Sequence, residues 1–263
     1  MSAKSESSVG FGELSAEPRD PGVPGSRFLA ARRVSVDEGY RLWASHYDGD
    51  PNPLLALEER ELRALLPGVG GKDVVDVACG TGRWLTKLMS LGARSATGVD
   101  LSDAMLEIAR AKRPLRGHLL RAECTALPIR SESADLIICS FAMGHFGDPA
   151  PLASELARVA KRGADVYLTD LHPEGYARGW RTGFRGDGEL IEITTFAPSA
   201  EQLRGAFISL GFAVIQFLDA YLGEPERGIF AQAGRPHRFE TACKTPAVLI
   251  CHLQRLWPFG GTA

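Results

Sequence analysis

The chain has 263 residues, of which 44% are hydrophobic and 24% charged, a balance typical of a globular protein and not of a disordered one. Thirty basic and 32 acidic side chains give a formal net charge of −2, which excludes a global electrostatic attraction to nucleic acid or to a membrane surface. The five cysteines form no Cys-x-x-Cys pair, so a disulfide framework and a zinc ribbon are excluded as well.

The N-terminal quarter contains a polar leader and two predicted helices. Residues 1–30 are rich in Ser, Gly, Pro and Glu, and they bury too little apolar surface to order themselves, so we expect a disordered leader. Structure is expected to begin near Val36, and residues 31–263 to form a single domain. Tyr40, Trp43 and Tyr47 continue a helical spacing from Val36. A second helix, residues 54–66, completes a helical cover over about 36–66. The N-terminus lacks the basic segment followed by an apolar segment that a secretory signal has, and no apolar run approaches 18 residues. We therefore expect a cytoplasmic protein without a signal peptide or a membrane span.

From residue 72 onward, short apolar runs alternate with amphipathic stretches. The predicted elements are strand 74–78, helix 83–91, strand 95–99, helix 102–112, strand 118–122, strand 135–139, helix 152–160 and strand 165–169. Alternation of this kind predicts an α/β protein with a doubly wound, mostly parallel sheet. Its ligand crevice should lie at the carboxyl ends of the strands.

The pattern changes after Asp170. Residues 176–196 contain two strand-like arms around Gly186 and Gly188, which predicts a β-hairpin insertion, or lid, after the fifth strand. A helix at 199–210 and two β-rich runs, 212–222 and 247–253, should complete the sheet.

The most informative segment is the strand and glycine turn from Val75 to Gly82. Glycines in such a turn allow a ligand to approach the backbone. Asp76 places a carboxylate inside an apolar strand, where a ligand ammonium could pair with it. Asp100 ends the next strand, where it could accept both hydroxyls of a ribose. Glu123 follows the third strand, where an adenine edge could rest.

Two other nucleotide-binding patterns fit this turn poorly. A dinucleotide fingerprint requires a third glycine where this chain has Leu85, and its first strand does not usually carry a carboxylate. A phosphate-binding P-loop requires Ser or Thr after its lysine, whereas Lys72 is followed by Asp73.

In order and spacing these motifs resemble those of the class I S-adenosylmethionine-dependent methyltransferases, and within them the small-molecule group that includes the ubiquinone and menaquinone C-methyltransferases. The resemblance is strong over about residues 40–170, and it includes the aromatic element that ends at Tyr47-Asp48. It implies a Rossmann-like, seven-stranded fold that binds S-adenosyl-L-methionine and releases S-adenosyl-L-homocysteine. The cofactor-binding residues that it implies are Tyr47, Asp76, Ala78, Cys79, Gly80, Thr81, Gly82, Asp100, Leu101, Met105, Glu123, Cys124, Ser140 and Phe141. Glu123 stands where the family more often has Asp.

The resemblance implies a methyltransferase that moves a methyl group to an O, C or N atom of a small-molecule acceptor by in-line displacement. His145 and His172 follow the fourth and fifth strands and are candidate general bases, with structural roles as the alternative. The candidate substrate contacts are Tyr40, Trp43, Met143, Trp180, Arg181 and Phe184. We expect no metal, because a catechol-type metal site needs an Asp at the end of the fourth strand and an Asp-Asn pair after the fifth. We expect no DNA partner, because the Asn/Asp-Pro-Pro-aromatic sequence that holds a flipped base does not follow the fourth strand. Three alternatives stay open: a carrier-bound acyl acceptor, an RNA acceptor, and a non-catalytic protein that binds the cofactor and regulates a partner.

Overall fold

The computed structural model describes residues 31–112, 115, 118–186 and 188–256 of the chain. The strands of this part are β1 (Arg32–Val34), β2 (Asp73–Val77), β3 (Ser95–Asp100), β4 (Leu119–Arg121), β5 (Ala134–Ser140), β6 (Ala160–Leu171), β7 (Gly183–Gly186), β8 (Glu189–Ile193), β9 (Phe212–Tyr221) and β10 (Pro246–Arg255). The helices are α1 (Val36–Tyr47), α2 (Pro53–Leu65), α3 (Arg83–Ser90), α4 (Asp103–Ala111), α5 (Ala150–Val159), α6 (Pro173–Ala177), α7 (Ala200–Ile208), α8 (Glu224–Gln232) and α9 (Phe239–Ala242).

A seven-stranded sheet with the order β4-β3-β2-β5-β6-β10-β9 is the centre of the molecule. The first five strands in this order are parallel, and β10 is antiparallel to both of its neighbours. This confirms the predicted mostly parallel, doubly wound sheet. Alternate side chains of β2 point to opposite faces, so Val74 belongs to one apolar core and Val75 to the other. Each face is therefore covered by helices, and the carboxyl ends of β2, β3, β5 and β6 lie side by side at one edge.

A second, three-stranded sheet has the order β1-β8-β7 and packs against α1. The strands β7 and β8 are antiparallel neighbours inside the segment 176–196, where the sequence predicts a hairpin. The apolar cluster between this second sheet and α1 contains Trp43, whose ring is stacked on that of Phe184 with the ring centroids 5.0 Å apart. The small sheet and α1 consequently form one packed unit. A lid function for this unit stays a prediction.

The structure differs from the predicted elements in two places. Ordered structure begins before Val36, because β1 pairs with β8 in a parallel register that sets Val34 opposite Ile193. The helices α6, α8 and α9 were not predicted, and α8 is held to α2 by the ion pair between Arg60 and Glu226. The predicted leader, residues 1–30, lies outside the described residues. Among the helices that are described, none is long and apolar enough to cross a membrane.

Candidate functional site

A pocket of about 360 Å³ lies at the carboxyl ends of β2, β3 and β5 and beneath α1. This is the crevice position that the parallel sheet predicts. The pocket is lined by twelve of the residues that the sequence singles out: Tyr40, Tyr47, Ala78, Gly80, Asp100, Leu101, Met105, Glu123, Cys124, Ser140, Phe141 and His145. Neither lysine nor arginine is among the described residues that line it, whereas Asp37, Asp100 and Glu123 are. The wall of this pocket is therefore acidic and aromatic.

The turn after β2 has an unusual backbone. Ala78, Gly80 and Gly82 all have positive φ, with values of 55°, 53° and 76°. A positive φ is uncommon for a residue with a side chain, and such strain is concentrated at ligand sites. A Cβ on Gly80 would meet nothing within 4 Å, while one on Gly82 would lie 2.2 Å from Leu115. Gly80 thus leaves space for a ligand next to the backbone. The absence of a side chain at Gly82 allows the start of α3 to pack against Leu115.

Asp100 connects β3 to this turn. Its Oδ2 accepts a hydrogen bond from the Gly80 amide at 2.7 Å, and its Oδ1 accepts one from the Ser102 amide at 2.8 Å. Burial raises the pKa of the carboxyl group, and these amide bonds act against that rise. A carboxylate oxygen can accept more than one hydrogen bond, so both oxygens keep acceptor capacity. Asp100 is therefore equipped to accept two hydroxyl groups from a ligand in the pocket.

Four predicted members of the turn do not line the pocket: Asp76, Cys79, Thr81 and Gly82. Asp76 is buried and accepts a hydrogen bond from the Leu85 amide at 3.0 Å, so it holds the first turn of α3. Burial raises its pKa to about 7, which reflects the cost of a charge at that position. Cys79 is buried, and burial raises the pKa of its thiol well above the ordinary value. The third member, Thr81, turns its hydroxyl toward α1.

A polar clasp connects the end of α1 to the glycine turn. The Thr81 hydroxyl donates to Asp48 Oδ1 at 2.6 Å, and Lys112 Nζ lies 2.7 Å from Asp48 Oδ2. Lys112 also donates to the Thr81 carbonyl oxygen at 2.7 Å. Because Tyr47 precedes Asp48, the clasp fixes the aromatic end of α1 over the pocket. In the Tyr47-Asp48 element, the Asp48 carboxylate therefore holds the end of α1 to the glycine turn.

His145 stands in a short 3₁₀ helix, Met143–His145, that follows β5. Its Nε2 lies 3.1 Å from the Tyr40 hydroxyl of α1. Burial lowers the pKa of the imidazole to about 4, so the ring is neutral at pH 7. Asp170, at the end of β6, accepts a hydrogen bond from the Gly144 amide at 2.6 Å and so fixes the turn. The structure thereby brings a neutral imidazole and a phenol together at the pocket wall.

His172 is placed elsewhere. Its Nδ1 accepts a hydrogen bond from the Glu174 amide at 3.1 Å and caps the start of α6. Its Nε2 lies 3.1 Å from Asp219 Oδ1 on β9. It does not line the pocket. These contacts give His172 a structural role, the alternative that the sequence leaves open.

The six candidate substrate contacts are divided among three environments. Tyr40 lines the pocket, and with Trp43 and Arg181 it also lines a second cavity of about 30 Å³ behind it. The guanidinium of Arg181 donates to the carbonyl oxygens of Tyr176 and Trp180, so it supports the backbone there. The remaining three, Met143, Trp180 and Phe184, are buried. Their contact with a substrate stays a prediction.

Sequence reasoning missed the most extensively bonded carboxylate of the site. Glu58 on α2 is fully buried, and it accepts hydrogen bonds from Arg83 Nη2 at 2.6 Å and from the Trp84 indole at 2.9 Å. Its Oε1 also accepts from Ser140 Oγ at 2.8 Å and from Thr169 Oγ1 at 3.1 Å. Glu58 therefore ties four elements together directly beneath the pocket wall. In the sequence it is the first of four consecutive charged residues of an amphipathic helix, and nothing distinguishes it from an exposed one.

Comparison with known proteins agrees with this geometry. A family model described as "Methyltransferase domain" matches residues 75–168. The chain is 32% identical over 144 residues to a "Ubiquinone biosynthesis O-methyltransferase" of Hahella chejuensis, an alignment that covers 52% of this chain and 58% of that one. It is 27% identical over 172 residues to "O-methyltransferase rstn1" of Aspergillus nomiae, covering 61% and 72%. The chain spans 51–61% of the length of six curated relatives that it matches.

A solved structure has the same fold. The S-adenosylmethionine-dependent methyltransferase from Mesorhizobium loti superposes with a TM-score of 0.62 at 24% sequence identity, over 76% of this chain and 98% of that one. The strand order, the glycine turn and the matching domain agree with one another. Residues 75–168 are similar to a methyltransferase domain, and the chain has the fold of an S-adenosylmethionine-dependent methyltransferase.

Proposed function

We propose that this protein transfers the methyl group of S-adenosylmethionine to a hydroxyl oxygen of a small organic acceptor. The observation that carries the proposal is that one pocket contains both the Asp100 carboxylate and the Tyr40–His145 pair. The first can hold a ribose, and the second can accept the proton that an oxygen nucleophile must lose. Two relatives named O-methyltransferases support the oxygen acceptor.

The residues present fit the cofactor that the family uses. The open space beside Gly80 admits a ligand against the backbone, and Asp100 keeps acceptor capacity for two hydroxyls. The Met105 side chain and Leu101 form an apolar wall for a flat base, and Glu123 and Cys124 lie at its edge. When bound, S-adenosylmethionine supplies an activated methyl group, so the protein needs no covalent nucleophile of its own. Its tasks are to align the acceptor, exclude water and accept a proton.

Helix α1 and Phe141, which follows β5, would align the acceptor with the transferred methyl group. Tyr40, Tyr47 and Phe141 line both the pocket and the smaller cavity behind it, so they form the partition between the two. A planar acceptor can pack against these rings in line with the transferred group. Such positioning supplies at best about 7–11 kcal/mol of barrier reduction. The clasp at Asp48 keeps α1 in place during this step.

Proton removal follows from the Tyr40–His145 hydrogen bond. Tyr40 Oη receives the proton of the acceptor hydroxyl while its own proton passes to His145 Nε2, so the imidazole ends as the cation and the tyrosine stays neutral. Burial raises the pKa of Tyr40 well above its ordinary value, which keeps the phenol protonated before the transfer. Since the His145 pKa of about 4 lies below the working pH, its contribution should fall at the low end of the about 10²–10⁴-fold range for general bases.

The acidic lining favours an uncharged or cationic acceptor. Asp37, Asp100 and Glu123 line the pocket without a described lysine or arginine among them. A polyanion such as RNA would bring its phosphates next to these carboxylates, which costs free energy. A small phenol or alcohol carries no such charge. This feature favours a small molecule over the RNA acceptor.

A methyl-transfer screen tests the proposal. The protein is incubated with S-adenosylmethionine that carries a labelled methyl group and with a panel of phenols, catechols, alcohols, amines and thiols. We expect label on an oxygen of at least one panel member and a loss of rate in Tyr40→Phe and His145→Ala. Label only on carbon or nitrogen would contradict the oxygen acceptor. A rate that both variants leave unchanged would contradict the proton relay.

A further inference from the structure

The second cavity, behind the pocket, differs from the pocket in charge. Arg181 is the one charged residue among the described residues that line this cavity of about 30 Å³. The acidic residues of the pocket, Asp37, Asp100 and Glu123, do not line it. The site therefore consists of an acidic pocket and, next to it, a small cavity with a single cation. A cavity of this size has room for a compact group of a few atoms.

The guanidinium group of Arg181 is fixed on one side and open on the other. Its Nη1 donates to the carbonyl oxygens of Tyr176 and Trp180, both at 2.7 Å, and its Cζ lies 4.0 Å from the centroid of the Tyr176 ring. The N–H groups of Nε and Nη2 form the other edge, and no described residue accepts a hydrogen bond from them. Glu192 Oε1 lies 4.0 Å from Nε, too far for a hydrogen bond, and it also pairs with Arg33. This open edge matches the two oxygens of a carboxylate.

Asn52 adds a second donor to the cavity. Its Oδ1 accepts hydrogen bonds from the amides of Leu54 at 2.9 Å and Leu55 at 3.4 Å, because it caps the start of α2. Backbone amides can only donate, so the oxygen of the side chain must face them, and its NH₂ group is left for a ligand. A ligand group in the second cavity thus meets donors from Asn52 and Arg181. It should therefore be an acceptor of hydrogen bonds, and a negatively charged one.

The partition between pocket and cavity is aromatic. Tyr40, Tyr47 and Phe141 line both spaces, so a ring that packs against them can extend a hydroxyl into the pocket and a second substituent into the cavity. Among the described residues that line the cavity, only Phe141 belongs to residues 75–168, the part that matches the methyltransferase domain. What the cavity binds is thus determined by parts of this chain outside the shared domain.

We propose that Arg181 binds a carboxylate of the acceptor, which makes the acceptors aromatic hydroxy acids. The inference rests on the proposed function, because it takes a hydroxyl oxygen as the atom that is methylated. The carboxylate lies in the second cavity, so the acidic lining of the pocket, which disfavours a polyanion, faces only the uncharged end of the acceptor. An arginine–carboxylate pair with two hydrogen bonds is stronger than a neutral contact, so an acid should be distinguished from its amide.

Paired acids and amides test the contact. The acids are 3- and 4-hydroxybenzoate, 4-hydroxyphenylacetate and 4-hydroxycinnamate, and each is compared with its primary amide, which keeps the shape and removes the charge. They are titrated calorimetrically into the protein saturated with S-adenosylhomocysteine. We expect at least one acid to bind about 10-fold or more tightly than its amide.

Variants of Arg181 assign this preference to one residue. Arg181→Met should weaken the preferred acid by about 10- to 100-fold and its amide by less than about threefold. Arg181→Lys keeps the charge without the two-pronged edge and should retain part of the preference, so it decides the question if the melting curve shows that Arg181→Met does not fold. Arg178→Met is the matched control, because Arg178 is 59% exposed, pairs with Glu174 at the surface and lines neither space.

Labelled S-adenosylmethionine in place of S-adenosylhomocysteine separates the two claims. If no acid binds more tightly than its amide, or if Arg178→Met lowers the preference as much as the Arg181 variants do, the inference is wrong. Methylation of neutral phenols with rejection of every acid would also overturn it, and would leave the proposed function standing. Acids that bind with the expected preference but receive no label on oxygen would contradict the proposed function and not the carboxylate contact.

Discussion

Replacing Asp100 by Asn removes the charge that the account assigns to ribose binding while it keeps the shape of the side chain. Both carboxylate oxygens already accept amide hydrogen bonds, from Gly80 at 2.7 Å and from Ser102 at 2.8 Å. The Asn side chain has one acceptor oxygen in place of two, and its NH₂ group faces one of these amides. A hydrogen bond to a charged group contributes about 1.5–3 kcal/mol, so the loss of one bond and weakening of the other should cost about 2–4 kcal/mol of binding. This corresponds to roughly 30- to 1000-fold weaker affinity.

The assay is calorimetric titration of S-adenosylhomocysteine into the purified variant, next to the unaltered protein. Asp103→Asn is the matched control, because this carboxylate lies three residues further along, is 56% exposed and pairs with Arg121 at the surface. Thermal melting separates a loss of affinity from a loss of folding. If Asp100→Asn melts normally and binds within about threefold of the unaltered protein, the assignment of Asp100 to the ligand is refuted.

Three further predictions concern the base, the buried carboxyl and the glycine turn. His145→Ala should lower the single-turnover rate by about 10²-fold with the first acceptor found, whereas His172→Ala should leave it unchanged. Folding raises the pKa of Asp76 to about 7 from 3.8, so this group stabilises the fold fully below its unfolded pKa and loses that contribution as the pH rises through about 7. Asp76→Asn, measured by denaturant unfolding, should therefore gain stability relative to the unaltered protein as the pH rises from about 4 to about 8. Gly82→Ala should destabilise the fold by about 1–3 kcal/mol, because its Cβ would lie 2.2 Å from Leu115 at a φ of +76°.

Each of these predictions has an outcome that contradicts it. Equal rate losses in the two histidine variants would show that pocket lining does not identify the base. Parallel stability–pH curves for Asp76→Asn and the unaltered protein would show that the buried carboxyl does not titrate as described. For the glycine turn the control is Gly68→Ala, where a Cβ would meet nothing within 4 Å. If both glycine variants lose the same stability, the close approach at Gly82 is not the cause.

The sequence predicts the sheet and most of the pocket because their signals are local. A strand, a glycine turn and a carboxylate at the next strand end follow one another along the chain, and parallel strands bring their carboxyl ends together. Ala78, Asp100 and Ser140 thus meet although they are up to about 60 residues apart. A positive φ at Ala78 has no sequence signal, since alanine does not favour it.

The features that the sequence does not predict depend on long-range packing. Strand β1 has three residues and is ordered by its partner β8, about 160 residues away, so no local pattern marks it. Glu58 is buried because Arg83 and Trp84 of α3 and Ser140 of β5 come to it. Since it lies within a run of charged residues of a helix, the sequence does not distinguish its burial from exposure. His145 and His172 likewise both follow the end of a parallel strand, and only the fold shows that His145 lines the pocket and His172 does not.

S-adenosylmethionine and its product are the ligands that we assign to this pocket. The decisive experiment is titration of the unaltered protein with S-adenosylhomocysteine and, separately, with NADH, the ligand that a dinucleotide-binding glycine turn would take. We expect saturable binding of S-adenosylhomocysteine with a micromolar Kd and no heat with NADH. No binding of S-adenosylhomocysteine, or binding of NADH with equal affinity, would contradict it.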